Sequence, residues 1–271
     1  MRDFVDALDA AIRPLAQREI LTRFKHTSAH AKRDGSLITA ADLAMQECVT
    51  ALLAKLDPGT PVLGEEMTEA AQQHLFAQDQ ARFWALDPLD GTSNYVCGFP
   101  YFALSLALIE SGAVTLGLVY DPVRDECFHA VRGAGAWCNG EKLQPFAASE
   151  RLADGLAMMD LKRVPGSALA RLLAPTAFRS QRNLGSVALD WCWLAAGRYQ
   201  LYLHGGQRLW DYAAGRLIAS EAGVSSQLYD PASWQVPTRL ELSPRLALAA
   251  ATAPLFEQWQ HFVALPWQSG T

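Results

Sequence analysis

The start of the chain carries apolar residues at helical spacing, and later segments carry them in short continuous runs. The first ~20 residues are predicted to form an amphipathic helix, because their apolar positions share one helical face. These positions are Phe4, Leu8, Ile12 and Leu15. Thr39-Ala40-Ala41-Asp42 has the pattern of a capping box, with Asp in place of Glu or Gln, and predicts a second helix. Asp57-Pro58-Gly59 ends this second helix in the prediction.

Short apolar runs bounded by turn residues predict the strands of the first half. They are Pro61–Leu63, Arg82–Leu86, Tyr101–Ile109 and Val114–Tyr120. The strand that begins at Arg82 is predicted to end at Asp87. Glu110–Ala113 predicts a hairpin between the last two runs, and Asn139-Gly140 predicts another. The first half is therefore predicted to contain helices followed by a largely antiparallel sheet.

The second half alternates strand-like and helix-like segments, which is typical of an α/β layer. The predicted strands are Leu156–Met159, Tyr199–Leu203 and Leu246–Ala250. The predicted helices are Ser167–Leu173, a helix that follows Gly185-Ser186 and runs through Ala196, Trp210-Asp211 through Ala222, and Leu255–Val263. The change of pattern predicts an N-terminal α+β half, residues 1–146, and a C-terminal α/β half, residues 147–271. The first half carries most of the candidate metal ligands.

Composition and charge exclude several classes of protein. The chain has 271 residues, of which 50% are hydrophobic and 19% charged, as in an ordinary globular protein. A net charge of −5 argues against a broad nucleic-acid interface. No apolar stretch approaches the roughly 20 residues of a membrane span, and the charged start of the chain predicts no signal peptide. The five scattered cysteines predict reduced thiols and a cytoplasmic location.

The strongest chemical signal is Asp87-Pro88-Leu89-Asp90-Gly91-Thr92-Ser93-Asn94, which follows an apolar strand. Asp87, Asp90 and the carbonyl of Leu89 offer the oxygen ligands that Mg²⁺ prefers. If Gly91 and Thr92 begin a helix, their N–H groups point at an anion such as phosphate. The alternative is an Asp-Pro/Asp-Gly turn in which both Asp residues only cap the chain.

Further acids strengthen the metal interpretation. Gly64-Glu65-Glu66 ends an earlier predicted strand, and the alternative for this pair is a solvated loop. Asp211 stands at the start of a predicted helix, where the alternative is an N-cap. Capping and metal binding can coexist, because a carboxylate has two oxygens. No Ser, Cys or His stands out as a nucleophile beside a base, so water is the expected attacking group.

Together these segments resemble the inositol monophosphatase family, within the Mg²⁺-dependent, lithium-sensitive sugar phosphatases. The resemblance rests on Gly64-Glu65-Glu66, on Asp87 to Tyr95 followed by Gly98-Phe99-Pro100, and on Trp210 to Gly215 continuing through Glu221-Ala222-Gly223. Weaker matches are Thr39–Asp42, Gly135–Gly140 and Gly185-Ser186. The matches occur in the family's order along most of the chain.

The resemblance implies a layered α-β-α-β-α sandwich, of mixed α+β and α/β character and similar to fructose-1,6-bisphosphatase, with the site between the two halves. It implies that Glu65, Asp87 and the Leu89 carbonyl hold one Mg²⁺. Asp87, Asp90 and Asp211 hold a second, and Glu65 helps to hold a third, weaker ion.

The resemblance also implies a catalytic group. Glu65 and the pair formed by Thr92 and Asp42 activate the attacking water, while the backbone of Gly91 and Thr92 holds the phosphate next to Asp90. The alternative for Asp42 is an acid at a helix start, where the helix dipole favours it.

On the substrate side the resemblance is looser. Gly185 and Ser186 match a substrate-side loop, and His204 stands where inositol-selective members have an acid that binds a ring hydroxyl. His204 either alters polyol or amine recognition or is a loop residue without a role. Lys32-Arg33 either attracts phosphate or forms a solvated surface. The resemblance implies a homodimer, and the aromatic residues Trp191, Trp193 and Tyr199 lie either at that interface or in the core.

The predicted activity is hydrolysis of a small phosphate monoester of the inositol monophosphate type, and five alternatives stay open. Family members can act on histidinol phosphate, fructose 1,6-bisphosphate or 3′-phosphoadenosine 5′-phosphate, since one fold supports many substrates. A regulatory binding protein can use the same scaffold. A haloacid-dehalogenase-type phosphatase has two acids before Gly-Thr, but this chain has one residue more between Asp87 and Asp90.

Overall fold

The computed structural model describes residues 2–25, 29–31, 37–78, 81–162, 164, 166–174 and 177–264. The basic segment Lys32-Arg33 lies outside the described residues. Within the described residues, no helix combines the length and the apolar character needed to cross a bilayer.

Helices occur along the whole chain. The α-helices of the described residues are α1 (Arg2–Glu19), α2 (Ala40–Leu56), α3 (Glu69–Ala77), α4 (Thr92–Cys97), α5 (Gly166–Leu172), α6 (Val187–Ala195), α7 (Leu209–Ala222) and α8 (Ala253–Val263). Short 3-10 turns at Leu21–Arg23 and Leu152–Asp154 join neighbouring elements.

The strands of the first half form a small ribbon and a large sheet. They are β1 (Ala29–Ala31), β2 (Leu37–Thr39), β3 (Val62–Gly64), β4 (Arg82–Asp90), β5 (Ala103–Glu110), β6 (Ala113–Asp121), β7 (Glu126–Val131), β8 (Ala136–Cys138) and β9 (Glu141–Lys142). Strands β3 to β9 form a seven-stranded sheet in chain order. Only the β3–β4 pair of this sheet is parallel, as far as the described residues go, so the predicted antiparallel character is confirmed.

The strands of the second half form a mixed sheet. They are β10 (Leu156–Asp160), β11 (Ser180–Arg182), β12 (Leu201–Gln207), β13 (Ser225–Tyr229) and β14 (Arg245–Ala250). The five-stranded sheet has the order β11-β10-β12-β14-β13. Strands β10, β11 and β12 run parallel, and β14 is antiparallel to both of its neighbours.

Apolar contacts stack these elements into five layers. Leu8 of α1 and Val49 of α2 join Leu106 in a cluster on one face of the seven-stranded sheet. Helices α6 and α7 lie between the two sheets. Helices α5 and α8 cover the far face of the five-stranded sheet, where Leu203 and Trp259 belong to one cluster. The α-β-α-β-α sandwich is therefore confirmed.

Local sequence signals account for the ends of several elements. Thr39 caps α2 and its side chain accepts a hydrogen bond from the Ala41 N–H, while Asp42 completes the predicted capping box. Helix α2 ends at Leu56, directly before Asp57, as the turn residues predict. Gly223 adopts a left-handed conformation at the end of α7, where its N–H donates to the carbonyls of Ala219 and Ser220 in the last turn.

Three predicted boundaries are wrong. Strand β4 continues past Asp87 to Asp90, because an irregular register between these residues keeps both in the strand. Strand β12 runs from Leu201 to Gln207 rather than from Tyr199 to Leu203, so His204 is a strand residue and not a loop residue. Helix α7 begins at Leu209, so Asp211 is its third residue and not its N-cap.

Candidate active site

The geometry of the sheet edge explains why acids from distant segments meet. Strands β3 and β4 are parallel, and Gly64 is paired with Leu86. The residues that follow this pair along the two strands, Glu65 and Asp87, therefore lie at the same end of the β3–β4 pairing. The first turn of α7 adds Asp211, and carboxylate oxygens of the three acids lie within 4.8 Å of one another.

Burial and mutual repulsion make this cluster a poor place for uncompensated negative charge. Burial raises the pKa of Asp87 well above its usual range, and Glu65, Asp90 and Asp211 raise it further. Burial is also the main reason why the pKa of Asp211 is raised, with Asp90 and Glu65 adding to it. Clustered carboxylate oxygens at this spacing are the donor set that a hard divalent cation takes. The residues therefore fit a metal site.

Asp90 lies beside the cluster and faces the second half of the chain. Its Oδ2 accepts hydrogen bonds from the Ser186 hydroxyl at 2.6 Å and from the Ala188 N–H at 2.7 Å. Burial raises its pKa to about 7, although these hydrogen bonds lower it. One oxygen of Asp90 is thus held at the N-terminus of α6, and Ser186, a predicted substrate contact, binds Asp90 in this structure.

Local hydrogen bonds hold the end of β4 and the turn that follows it. Asp87 Oδ1 accepts a hydrogen bond from the Leu89 N–H at 2.9 Å, and the Leu89 carbonyl accepts one from the Thr92 hydroxyl at 3.0 Å. Gly91 has φ +92°, and a Cβ there would lie 3.0 Å from the carbonyl oxygen of Tyr101. Only glycine fits this conformation and space without strain. Gly91 is the N-cap of α4, so the predicted helix start at Gly91 and Thr92 is confirmed.

Thr92 also contacts Asp42, as the predicted pair requires. The Thr92 hydroxyl lies 3.1 Å from Asp42 Oδ1, and Asp42 Oδ2 accepts the Thr39 N–H at 2.8 Å. Burial raises the pKa of Asp42, whereas its hydrogen bonds with Thr39 and Thr92 lower it. Asp42 therefore has both the cap role and a direct contact with Thr92.

Asn94 is a site residue to which sequence reasoning gave no role. Its Nδ2 donates to the Tyr101 carbonyl and to the Leu184 carbonyl, each at 2.7 Å. These bonds join helix α4 to the loop that contains Gly185. Asn94 lies within the quoted motif, but the sequence gave no indication of a partner 90 residues away.

His204 is buried in β12 with only 7% of its surface exposed. Its Nδ1 accepts the Gly206 N–H at 3.2 Å, and its Nε2 lies 3.4 Å from Asp160 Oδ2. Because Nδ1 is an acceptor, Nε2 carries the proton of the neutral ring. His204 thus contacts Asp160 and Gly206, and its ring lies 6.4 Å from the ring of Tyr202.

Comparisons with known proteins place this architecture. A family model for the inositol monophosphatase family matches residues 3–261. Inositol monophosphatase 1 of Solanum lycopersicum is 35% identical over 239 residues, which are 83% of this chain and 83% of that protein. Nus factor SuhB of Pasteurella multocida is 36% identical over 198 residues, which are 71% of this chain and 72% of that protein. A solved structure of an IMPase from Thermotoga maritima is 25% identical, covers 97% of both chains and has a TM-score of 0.80.

The family match covers nearly the whole chain, and the layered fold agrees with it. A haloacid-dehalogenase-type phosphatase is therefore set aside. The chain belongs to the inositol monophosphatase family and is a phosphoric monoester hydrolase.

Proposed function

We propose that the protein is a Mg²⁺-dependent phosphatase that hydrolyses a phosphate monoester of a small polyol or sugar-like compound, of the inositol monophosphate type. The observation that carries the proposal is the cluster of Glu65, Asp87 and Asp211 close to the contact between Thr92 and Asp42. Acids that would repel one another form a stable set when they share divalent cations. Two or three ions are proposed, held by Glu65, Asp87, Asp90, Asp211 and the Leu89 carbonyl.

The residues of this chain divide the chemical work. Bound divalent cations supply positive charge to the phosphate and make a water molecule more acidic. The Thr92 hydroxyl takes the proton of the attacking water and passes its own proton to Asp42, whose raised pKa suits an acceptor. Glu65 helps to orient that water. The backbone N–H groups of Gly91 and Thr92 bind the phosphate at the start of α4.

The substrate side combines Gly185, Ser186 and His204, next to Asp90. The inositol monophosphatases among the relatives support an inositol phosphate. The buried ring of His204 beside Asp160 supports a polyol or amine group instead of the ring-hydroxyl contact made by an acid. Histidinol phosphate, fructose 1,6-bisphosphate and 3′-phosphoadenosine 5′-phosphate are the alternatives within the family.

The test is phosphate release from these three compounds and from inositol 1-phosphate, with Mg²⁺ and with a chelator. We expect Mg²⁺-dependent release that falls by at least ~100-fold in Asp87→Asn, because a buried ligand is lost. Glu141→Gln, at an exposed acid in β9, is the matched control and keeps full activity. Folded wild-type protein that releases no phosphate with Mg²⁺ would contradict the proposal.

A regulatory binding role is the second candidate, and the relative named Nus factor SuhB favours it. The two roles separate in Asp87→Asn. A binding role predicts that this variant still captures the same partner from cell extract as the wild type does, while phosphate release is lost. Failure of the wild-type protein to capture any partner argues against the second candidate.

We also propose that the protein is a homodimer. Three large apolar side chains, Phe99, Val123 and Phe146, are exposed. The ring of Trp193 lies under the guanidinium groups of Arg124 at 5.0 Å and Arg198 at 4.8 Å. A patch of this kind is typical of an interface core.

Two of the predicted interface aromatics do not belong to that patch. Trp191 and Tyr199 are only 0% and 1% exposed and lie in the core. Light scattering on the wild type and on Phe99→Asp tests the homodimer. The wild type is expected to have twice the mass of the chain, and the variant to shift toward the monomer. A monomeric wild type contradicts the proposal.

A cytoplasmic location is proposed as well. All five cysteines are free thiols, which is typical of a reducing compartment. Fractionation of the cells that produce the protein checks the location.

A further inference from the structure

Glu65 leaves the seven-stranded sheet at its outermost strand. Strand β3 is the edge of the sheet and ends at Gly64. The Glu65 N–H donates to the Leu86 carbonyl at 3.0 Å, and this is its link to β4. On the other side there is no neighbouring strand in the described sheet. The backbone that carries Glu65 therefore needs partners from outside the sheet.

Gln72 supplies one set of partners. This residue of α3 is only 8% exposed, and its Nε2 donates to the Gly64 carbonyl at 2.9 Å and to the Glu65 carbonyl at 3.1 Å. The side-chain amide of Gln72 therefore donates to two consecutive backbone carbonyls. Helix α3 is fixed in turn by its N-cap Thr68, whose hydroxyl accepts the Ala71 N–H at 3.3 Å.

Gln46 supplies the opposite partner from α2. Its Oε1 accepts the Glu66 N–H at 3.0 Å. A Cβ on Gly64 would lie 2.2 Å from this Oε1, so only glycine leaves room for Gln46 to reach the strand end. The peptide groups on both sides of Glu65 are thus held by side chains of two different helices.

We propose that Gln72 and Gln46 are positioning residues that hold Glu65 in the metal site, an inference that rests on the proposed function. Glu65 is half-buried and stands beyond the strand end, whereas Asp87 lies within a buried strand. Repulsion from Asp87 and Asp211 favours an outward turn of Glu65 when no cation is bound. Three hydrogen bonds, two donated by Gln72 and one accepted by Gln46, keep the backbone around Glu65 in the geometry that a cation needs.

We call Gln72 and Gln46 together the clamp. The affinity of the site for the metal ion is expected to depend on this clamp. A carboxylate that is already in place binds the ion without a cost for ordering the chain. Partners that hold metal ligands from outside typically change metal affinity by ~10- to 100-fold when they are mutated. The clamp acts on affinity and leaves the chemistry of the loaded site in place, because neither glutamine contacts the other catalytic groups in the described structure.

The experiment compares Gln72→Leu with Gln73→Leu in the full chain. Gln73 is the exposed neighbour on α3 and contacts Glu69, so it is a matched control. The thermal unfolding midpoint is measured across a Mg²⁺ titration, since a ligand that binds the folded state raises it with concentration. Phosphate release is measured across the same titration.

We expect the Mg²⁺ concentration at half-effect to rise by ~10-fold or more in Gln72→Leu and to stay unchanged in Gln73→Leu. At saturating Mg²⁺ the rate of Gln72→Leu recovers to near the wild-type rate. Gln46→Leu removes the acceptor from the other side and is expected to shift the titration in the same direction. This second variant keeps the test valid if Gln72→Leu does not fold.

Two results would overturn the clamp. One is an unchanged Mg²⁺ titration in a folded Gln72→Leu or Gln46→Leu. The other is a loss of thermal stability that is equal at zero and at saturating Mg²⁺, which is the sign of a purely structural role. Either result leaves the proposed phosphatase intact as long as the wild type releases phosphate with Mg²⁺. A wild type that neither responds to Mg²⁺ nor releases phosphate overturns the proposed function itself.

Discussion

At the scale of single residues, Ser186 has two possible roles that kinetics can separate. Its hydroxyl donates to Asp90 Oδ2 at 2.6 Å, whereas the resemblance to the family implies a substrate contact. Ser186→Ala removes this hydroxyl and leaves the backbone N–H partners of Asp90, among them that of Ala188, in place. If Ser186 orients Asp90, we expect kcat and kcat/KM to fall together by ~10-fold, the effect of losing one charge-assisted hydrogen bond of ~1.5 kcal/mol.

The control for that prediction is Ser186→Thr, which keeps a hydroxyl and is expected to retain most of the activity. Steady-state kinetics at saturating Mg²⁺ is the measurement. A higher KM with an unchanged kcat would instead identify Ser186 as a substrate contact, because uniform binding is then what the mutation removes.

Asp190 is a buried acid that the proposed reaction does not use. The Tyr101 hydroxyl donates to its Oδ1 at 3.0 Å, but burial, followed by the charges of Asp90 and Asp160, keeps its pKa well above the usual range. The folded protein therefore binds this proton more tightly than the unfolded chain does. The contribution of Asp190 to the free energy of unfolding is therefore fully present below the ordinary Asp pKa of about 3.9. It is lost as the pH rises through the raised pKa, because the buried carboxyl must then ionise.

Asp190→Asn removes that titration and keeps an oxygen for Tyr101. We expect the variant to have a higher free energy of unfolding than the wild type at pH 8, and the difference to shrink toward pH 4. Urea unfolding of the variant and of the wild type at a series of pH values measures the two free energies of unfolding. A difference that is the same at every pH would show that ionisation of Asp190 has no effect on stability.

At the scale of elements, helix α7 approaches the seven-stranded sheet through Gly117. A Cβ on Gly117 of β6 would lie 2.7 Å from the carbonyl oxygen of Ala214 in α7. Gly117→Ala forces the helix away from the strand, and overpacking of this kind costs about 1–3 kcal/mol of stability. Asp211 is carried by the same helix, so metal-dependent activity is expected to fall as well.

Gly166→Ala is the matched control for this element. No atom lies within 4 Å of the Cβ position there, and Gly166 begins helix α5. Its effect on the free energy of unfolding is expected to be neutral or slightly favourable. Denaturant unfolding compares the two variants, and equal stability of Gly117→Ala and wild type would show that the helix can shift without cost.

The elements show what a sequence can and cannot predict. The N-terminal helix, the capping box at Thr39 and the hairpins follow from local patterns, and they are confirmed. Helix α3 and the strands β1, β2, β7, β11 and β13 were missed. Strand β13 is a polar segment, Ser225–Tyr229, whose strand state depends on pairing with β14.

The candidate site divides in the same way. The acids could be identified from the sequence because Glu65 and Asp87 end predicted strands and Asp211 begins a predicted helix. The structure brings the three together. Their supports were not visible. Asn94 contacts a carbonyl 90 residues away, and Ser186 reaches Asp90 across 96 residues, so neither contact has a local signal.

At the scale of the whole molecule, the two halves share both the core and the site. One apolar cluster contains Val119 and Phe128 from the seven-stranded sheet together with Trp191 and Tyr202 from the second half. The proposed boundary between residues 146 and 147 therefore separates two sheets that cover the same pair of helices. Neither half closes the site alone, since Asp87 comes from the first half and Asp211 from the second.

This sharing predicts that residues 1–146 do not fold independently. Without α6 and α7, one face of the seven-stranded sheet would expose Val119 and Phe128 to water, and each such side chain loses ~1.5–3 kcal/mol of burial energy. We expect the isolated fragment to unfold without a sigmoidal urea transition, while the full chain unfolds cooperatively. Mixing with the fragment 147–271 is expected to restore the transition, because the missing layer is then supplied. A cooperative transition for residues 1–146 alone, measured by tryptophan fluorescence and by circular dichroism, would show instead that the first half is a separate domain whose sheet needs no cover from the central helices.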